Sequence, residues 1–333
     1  MKVSNLIRKA VITTAMTLAA VSFSSAESRS DWKAHWITNS WVQSTTNTWI
    51  SYRKEVNVTK LPDKLVAKIA VDSKYWMWIN GELVVFEGGL KRGPFPNGTY
   101  YDKVDIAPFL KEGNNTIAIL LWHFGKQGFS HNNSGQAALI FEAVSPELEI
   151  LSDNSWLCVP NPAYSSTDAP HPNYRLPESN IRFDARKEQQ GWNMPGFDVR
   201  RKMYKASYVD ERAWPAMGEL VERPIPMWKD YGFKEYASVR QSNDTVYCKL
   251  PYNAQITPYL KVEAKGGEMV KIMTDNYRGG SENNVRAEYI TRGGVQEYEN
   301  LGWMNGHEVW YIVPSGVKVL ELKYRETGYD TEI

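Results

Sequence analysis

The chain has 333 residues, with 39 Lys and Arg against 38 Asp and Glu for a net charge of +1. That charge is spread without a basic stripe, which argues against a nucleic-acid partner, and the length suffices for two domains. Aromatic residues make up 13% of the chain, including 13 Trp and 19 Tyr, a load that serves β-sandwich cores or exposed sugar-stacking surfaces equally well.

In chain order, residues 1–26 come first. Lys2, Arg8 and Lys9 precede a short apolar core from Ala10 to Val21, and Ser24-Ser25-Ala26 supplies small residues for cleavage. The core of ~12 residues is shorter than the ~20 a spanning helix needs, so the pattern reads as an export signal. The expected location is periplasmic or extracellular, with no membrane partner. Cys158 and Cys248 are the only cysteines; in an exported chain they can pair or stay free.

Next, short β-branched and aromatic runs alternate with Gly, Pro, Asn and Asp punctuation, and no segment sustains a helical period. Residues 65–71 and 75–79 read as strands, the second ending in Asn80-Gly81, a dipeptide suited to a type I′ hairpin. Gly113-Asn114-Asn115 turns into Thr116–Trp122, and Ala138–Val144 closes a sandwich over residues 27–145. Residues 146–232 are Pro-rich and read as an extended connection that pairs some strands back onto its neighbours; its Trp156, Trp192, Trp214 and Trp228 are unsuited to a disordered tether. From residue 233 regular strands return to the end. The fold class is therefore all-β, two antiparallel β-sandwich domains.

Two loops of the first sandwich gather sugar-binding chemistry. Lys91, Arg92, Tyr100 and Tyr101 lie in one, and Trp122, His123, His131 and Asn132 in the other. Cations, imidazoles, amides and rings are the mixture that pairs hydroxyls and stacks a pyranose face. Gly-rich loops with Asn and Ser are also ordinary turns, and of Trp122 and His123 at a strand end one must face the core. His123, His131 and His307 lack metal-ligand spacing, and Asp72, Asp102 and Asp105 sit in no calcium-loop pattern. No metal and no cofactor are expected.

The run Val71-Asp72-Ser73-Lys74-Tyr75-Trp76-Met77-Trp78-Ile79-Asn80-Gly81, then Tyr101–Leu110 and Lys111–Ala118, resembles the galactose-binding-like jelly rolls of many glycoside hydrolases. The C-terminal signal is more specific. Thr274-Asp275-Asn276-Tyr277, Val285–Thr291, Gln296–Glu299, Gly302-Trp303-Met304-Asn305-Gly306-His307 and Tyr324-Arg325-Glu326-Thr327-Gly328-Tyr329-Asp330 resemble, in order and spacing, the β-sandwich preceding the catalytic domain of bacterial α-L-rhamnosidases of glycoside hydrolase family 78. More loosely, the likeness reaches back to Trp32-Lys33-Ala34-His35-Trp36-Ile37.

The resemblance implies an inverting hydrolase of terminal α-L-rhamnosides whose acid and base glutamates lie in a downstream (α/α)6 barrel. None of that barrel's motifs occurs before Ile333, so no catalytic residue is assigned. The expected partners are a rhamnose-containing glycan and the catalytic domain. Arg286, Glu288, Glu297, Trp303 and His307 are the residues expected to pack against that domain, with an exposed apolar patch around Trp303 and 324–329. A stand-alone carbohydrate-binding protein is the alternative. A complete small glycosidase would need two carboxyls ~6.5–9.5 Å apart, for which Glu288, Glu297 and Glu299 are the candidates; Glu297 and Glu299, two apart on one strand, stand about 7 Å from each other.

Overall fold

The computed structural model describes residues 26–42, 45–89, 98–129, 131–172, 178, 180–213, 218–277 and 285–330. They form strands and short 3-10 turns, and the all-β expectation is borne out. The strands of the first half are β1 (Ala26–Glu27), β2 (Ile37–Thr38), β3 (Thr48–Val58), β4 (Val66–Val71), β5 (Lys74–Ile79), β6 (Glu82–Gly88), β7 (Gly98–Asp105), β8 (Gly113–His123) and β9 (Leu139–Val144). Asn80 and Gly81, between β5 and β6, have φ of 53° and 86°, as a type I′ turn requires.

The Pro-rich stretch supplies β10 (Glu149–Leu151), β11 (Leu157–Pro160), β12 (Tyr164–Ser166), β13 (Ile181–Asp184), β14 (Tyr204–Lys205), β15 (Ser207–Tyr208) and β16 (Glu219–Glu222). These strands are distributed over all three sheets of the molecule. The remaining strands are β17 (Trp228–Lys234), β18 (Ser238–Ser242), β19 (Thr245–Ala264), β20 (Met269–Thr274), β21 (Arg286–Ile290), β22 (Gly294–Glu299), β23 (Met304–Ile312) and β24 (Lys318–Tyr329).

One sheet runs β1-β16-β7-β4-β9-β2-β15, with β10 also on β9; a second runs β14-β11-β3-β8-β5-β6; the third runs β12-β13-β21-β20-β23-β19-β24-β17, with β18 and β22 also on β19. Pairing is antiparallel except for β16 on β7 and β13 on β21, which are parallel. The long β19 shifts register on β23 between Lys249 and Ala254; its first part also pairs β18, and its last part β22 and β24.

The middle sheet explains why its strands are continuous apolar runs instead of alternating ones. In β8, Ile117, Ile119 and Leu121 enter the core of the first sandwich, while Ala118, Leu120 and Trp122 enter a different cluster with Ile181. In β5, Tyr75, Met77 and Ile79 face the first core, and Trp76 faces the second cluster with Trp78 packed against it. Both faces of this sheet are thus covered. Each aromatic side chain so buried contributes roughly 1.5–3 kcal/mol.

The cysteines remain apart. Cys158 lies in the first core and Cys248 in the second, both free and fully buried. Burial pushes their thiols up to about 11 and about 12, which makes them poor nucleophiles near neutral pH.

Candidate functional site

The cluster on the outer face of the middle sheet is a seam between the two sandwiches. Trp49 on β3 stacks on Trp122 at 4.6 Å and on Tyr164 of β12 at 4.2 Å, nearly parallel to both. Tyr164 meets Phe183 edge-on at 4.8 Å, Phe183 stacks on Tyr298 at 5.1 Å, and Tyr298 stacks on Tyr289 at 4.6 Å. The rings form an unbroken column from the first sandwich into the second. At its side lies a cavity of ≈ 60 Å³ lined by Lys74 and Trp122 from one sandwich and Ile181, Arg286, Trp303 and Met304 from the other. The structure therefore brings Trp122, Arg286 and Trp303 together, three residues that the sequence reading had placed in two separate roles.

Below the loops of the first sandwich lies a buried polar node. Asp72 sits with its Oδ1 3.4 Å from His123 Nδ1 and 3.3 Å from His131 Nε2. It also accepts from the Ser73 hydroxyl at 2.7 Å and, through Oδ2, from the Ser134 amide at 2.7 Å. Burial acts to raise its carboxyl, but the hydrogen bonds from His123 and His131 hold it well below the usual carboxylate range. Two further ion pairs are buried. Lys74 Nζ is 2.6 Å from Glu87 Oε1, and Arg223 Nε is 2.9 Å from Asp102 Oδ1, which lies on the carboxylate that also receives Tyr75 and Gly89.

These placements are at odds with sugar binding by the loop rings. Tyr101, Trp122, His123 and His131 are all buried. The physical reason is the two-sided middle sheet: at the end of β8 one neighbour must face the first core, and the other faces the seam. Tyr101 is turned inward by its hydroxyl, which donates to Glu27 at 2.8 Å, and by edge contact with Trp32 at 5.2 Å. Tyr100 is half-buried and Asn132 exposed, while Lys91 and Arg92 lie outside the described residues.

Among the residues expected at a domain interface, Arg286 and Glu288 are likewise turned inward. Glu288 is held by Arg286 at 2.8 Å and Arg182 at 2.7 Å, with 3% of its side chain exposed. Trp303 is half-buried beside the cavity, whereas Glu297 and His307 are exposed. Within 324–329 Tyr324 is buried and Tyr329 exposed; beside that stretch, Tyr231 and Phe233 of β17, which pairs with it, and Tyr252, whose hydroxyl donates to Glu326, expose their rings. Val239, Val295 and Leu320 are exposed as well.

The carboxylates weighed for catalysis are each engaged by a cation. Glu297 is bound by Lys261 at 2.8 Å, and that hydrogen bond leads in lowering its pKa. Glu299 is bound by Arg325 at 2.7 Å and Thr257 at 2.7 Å. A general acid needs the opposite, a carboxyl raised toward neutrality. Among the described residues no group of three or more His, Cys, Asp or Glu is placed to hold a metal ion.

Residues 66–227 match the family described as Alpha-L-rhamnosidase N-terminal domain. The resemblance read from the sequence is borne out. An α-L-rhamnosidase of Alteromonas sp. (strain LOR) is 24% identical over 299 residues, covering 80% of this chain and 31% of the relative. Among solved structures, the α-L-rhamnosidase of Dictyoglumus thermophilum superposes with a TM-score of 0.70 at 19% identity, covering 91% of this chain and 36% of that one. That of Aspergillus terreus gives 0.69 at 18% identity, covering 90% and 36%. At such identities the structures show a shared fold, and the chain spans about a third of the length of these relatives. The rhamnosidase N-terminal domain match begins at β4, takes in every strand of the middle sheet except β3, and runs through most of the Pro-rich stretch to end at Met227, just before β17.

Sequence reasoning missed the buried ion pairs. The signal was present: Lys74 opens the apolar run Tyr75-Trp76-Met77-Trp78, and Glu87 follows Val84-Val85-Phe86. A charge inside a two-sided apolar strand has to find a partner.

Proposed function

We propose that this chain is the non-catalytic N-terminal portion of an exported α-L-rhamnosidase-like glycoside hydrolase and braces that enzyme's catalytic domain. The aromatic column through the seam carries the reading. A stack running Trp49, Tyr164, Phe183 and Tyr298 couples the two sandwiches into a stiff strut, and stiffness is what positioning a neighbouring domain requires. Glu288, Glu297 and Glu299, each bound to a cation, supply the structural side of a bracing role and not the proton traffic of hydrolysis.

Hydrolysis of p-nitrophenyl α-L-rhamnoside tests it. The expected outcome is no turnover by residues 27–333, and turnover by a longer chain in which an α-L-rhamnosidase catalytic domain is joined after them. In that longer protein, Trp49→Ala should lower the temperature of inactivation without removing any group that contacts substrate. Turnover by the short chain would overturn the proposal.

A further inference from the structure

The rings expected to bind sugar in the loops are mostly buried and the loops' open ring is Phe129, yet the first sandwich presents an open pair of rings beside β14. Trp41 is 65% exposed and is the one exposed tryptophan among the described residues. Its ring lies 4.3 Å from that of Tyr204, itself 41% exposed, at an interplanar angle of 59°. The two rings form a tilted pair open to water.

Both rings hang from a single buried node. Asn39 is 3% exposed; its Oδ1 accepts the Trp41 amide at 3.0 Å and its Nδ2 donates to Cys158 Sγ at 3.4 Å. The amide of Val42 closes the same turn on the Asn39 carbonyl at 3.1 Å. Cys158 in turn is the register partner of Tyr204 across β11 and β14. The loop carrying Trp41 and the strand carrying Tyr204 are thereby fixed to each other from below. Leaving a tryptophan in water forgoes the burial that most of the other tryptophans here obtain, so an anchored exposed ring is built to meet something.

The chemistry at the rim narrows the occupant. The Tyr204 hydroxyl, 3.5 Å from the Arg201 carbonyl, puts a phenol at the edge of the ring pair, and Arg201 beside it in sequence is exposed. Flat apolar faces bordered by donors match a pyranose, whose C–H face packs on a ring while its equatorial hydroxyls reach outward. A stable protein interface takes ~800 Å² per partner, more than two rings supply, and depletes lysine at its centre, whereas Lys202 and Lys205 flank Tyr204 and are exposed.

We infer that Trp41 and Tyr204 form a pyranose-stacking platform that binds a polysaccharide, at a site separate from the seam and from the loops around Asp72. Because the rings are held in place beforehand, little ordering cost attends binding. The platform stands on these residues alone; the choice of a rhamnose-containing probe rests on the function proposed above.

Affinity electrophoresis of residues 27–333 in gels containing rhamnogalacturonan, and separately arabinoxylan as a rhamnose-free polymer, tests it. Retardation is expected in at least one gel, weakened about tenfold or more in apparent Kd by Trp41→Ala and by Tyr204→Ala, retained by Trp41→Phe, and retained by Tyr231→Ala, an exposed aromatic on the second sandwich. Matching thermal midpoints for parent and variants separate lost binding from lost folding. Retardation by arabinoxylan alone supports the platform while removing the rhamnose preference. No retardation in either gel overturns the inference, as does full retardation of Trp41→Ala. A dimer that Trp41→Ala dissociates, with no sugar binding, overturns it in favour of self-association.

Discussion

Two ring pairs in this molecule have almost the same separation and opposite circumstances. Trp49 and Tyr164 lie 4.2 Å apart at 15°, enclosed between sandwiches, while Trp41 and Tyr204 lie 4.3 Å apart at 59° with both rings in water. Contact distance therefore says little about role. What separates the pairs is what lies on their far sides: further rings for Trp49, which has Trp122 at 4.6 Å, and solvent for Trp41. The first arrangement fastens layers together, and the second leaves a face available.

The largest expected effect breaks the enclosed pair. Trp49→Ala removes a ring from the middle of the column and should destabilise by about 3–5 kcal/mol, read from urea unfolding. Because the column joins the sandwiches, the transition should also split, the tryptophan-rich first sandwich and the tyrosine-rich second melting at different urea concentrations. Trp41→Ala in the same assay should stay within about 0.5 kcal/mol of the parent. Equal losses at both positions would erase the distinction drawn between the pairs.

The buried ion pair beside the seam comes next. Lys74→Met leaves Glu87 without its cation in a site where both side chains are almost wholly enclosed. Removing one partner of such a pair costs about 3–5 kcal/mol, whereas replacing both with apolar groups is often neutral. Lys74→Met with Glu87→Leu should therefore recover most of the loss. If the double variant is as unstable as the single one, the pair does something beyond neutralising itself.

Acid sensitivity sharpens the comparison further. Asp72 is depressed in the folded chain through His123 and His131, so its contribution is present above its unfolded pKa of roughly 3.9 and declines as the pH falls below it. Asp72→Asn should flatten the stability profile on the acid side, from about pH 5 downward, and leave its shape above pH 6 little changed. Thermal midpoints from pH 3 to pH 7 measure it. An undiminished acid slope in the variant would assign that slope to other carboxylates.

Much of this was legible locally, and the parts that were not have a common cause. Asn80-Gly81 announced its hairpin because the φ requirement is met by the residue itself. The uninterrupted run Ile117–Trp122 announced a strand, though only the structure shows that its continuity reflects burial on two sides. The burial of Trp122 followed from that second layer, and that of His123 and His131 from their shared contact with Asp72, neither of which a local pattern encodes. Parallel pairing of β16 with β7 joins Glu219 to Gly98, and β13 with β21 joins Ile181 to Ala287; pairs so distant in sequence leave no local mark. Trp41 went unremarked for the reverse reason. A single aromatic in a loop looks ordinary until its exposure and its anchoring by Asn39 are seen together.

The smallest expected effect concerns the carboxylates, where the contrast of enclosed and open recurs. Glu288 lies between two arginines with almost no exposed surface, while Glu297 bridges to Lys261 with 55% of its side chain in solvent. An exposed pair of this kind contributes about 0–1 kcal/mol, so Glu297→Gln should barely move the unfolding midpoint. The hydrogen bond from Lys261 leads in lowering the Glu297 pKa, so what stability it gives lies above the unfolded pKa of roughly 4.3 and fades below it. The same lowering keeps Glu297 deprotonated at neutral pH and leaves it without a proton to donate to a leaving group. A Glu297→Gln variant that abolished a measurable rhamnoside hydrolysis by this chain would reverse that conclusion, since loss of a surface ion pair worth so little could not do so through folding.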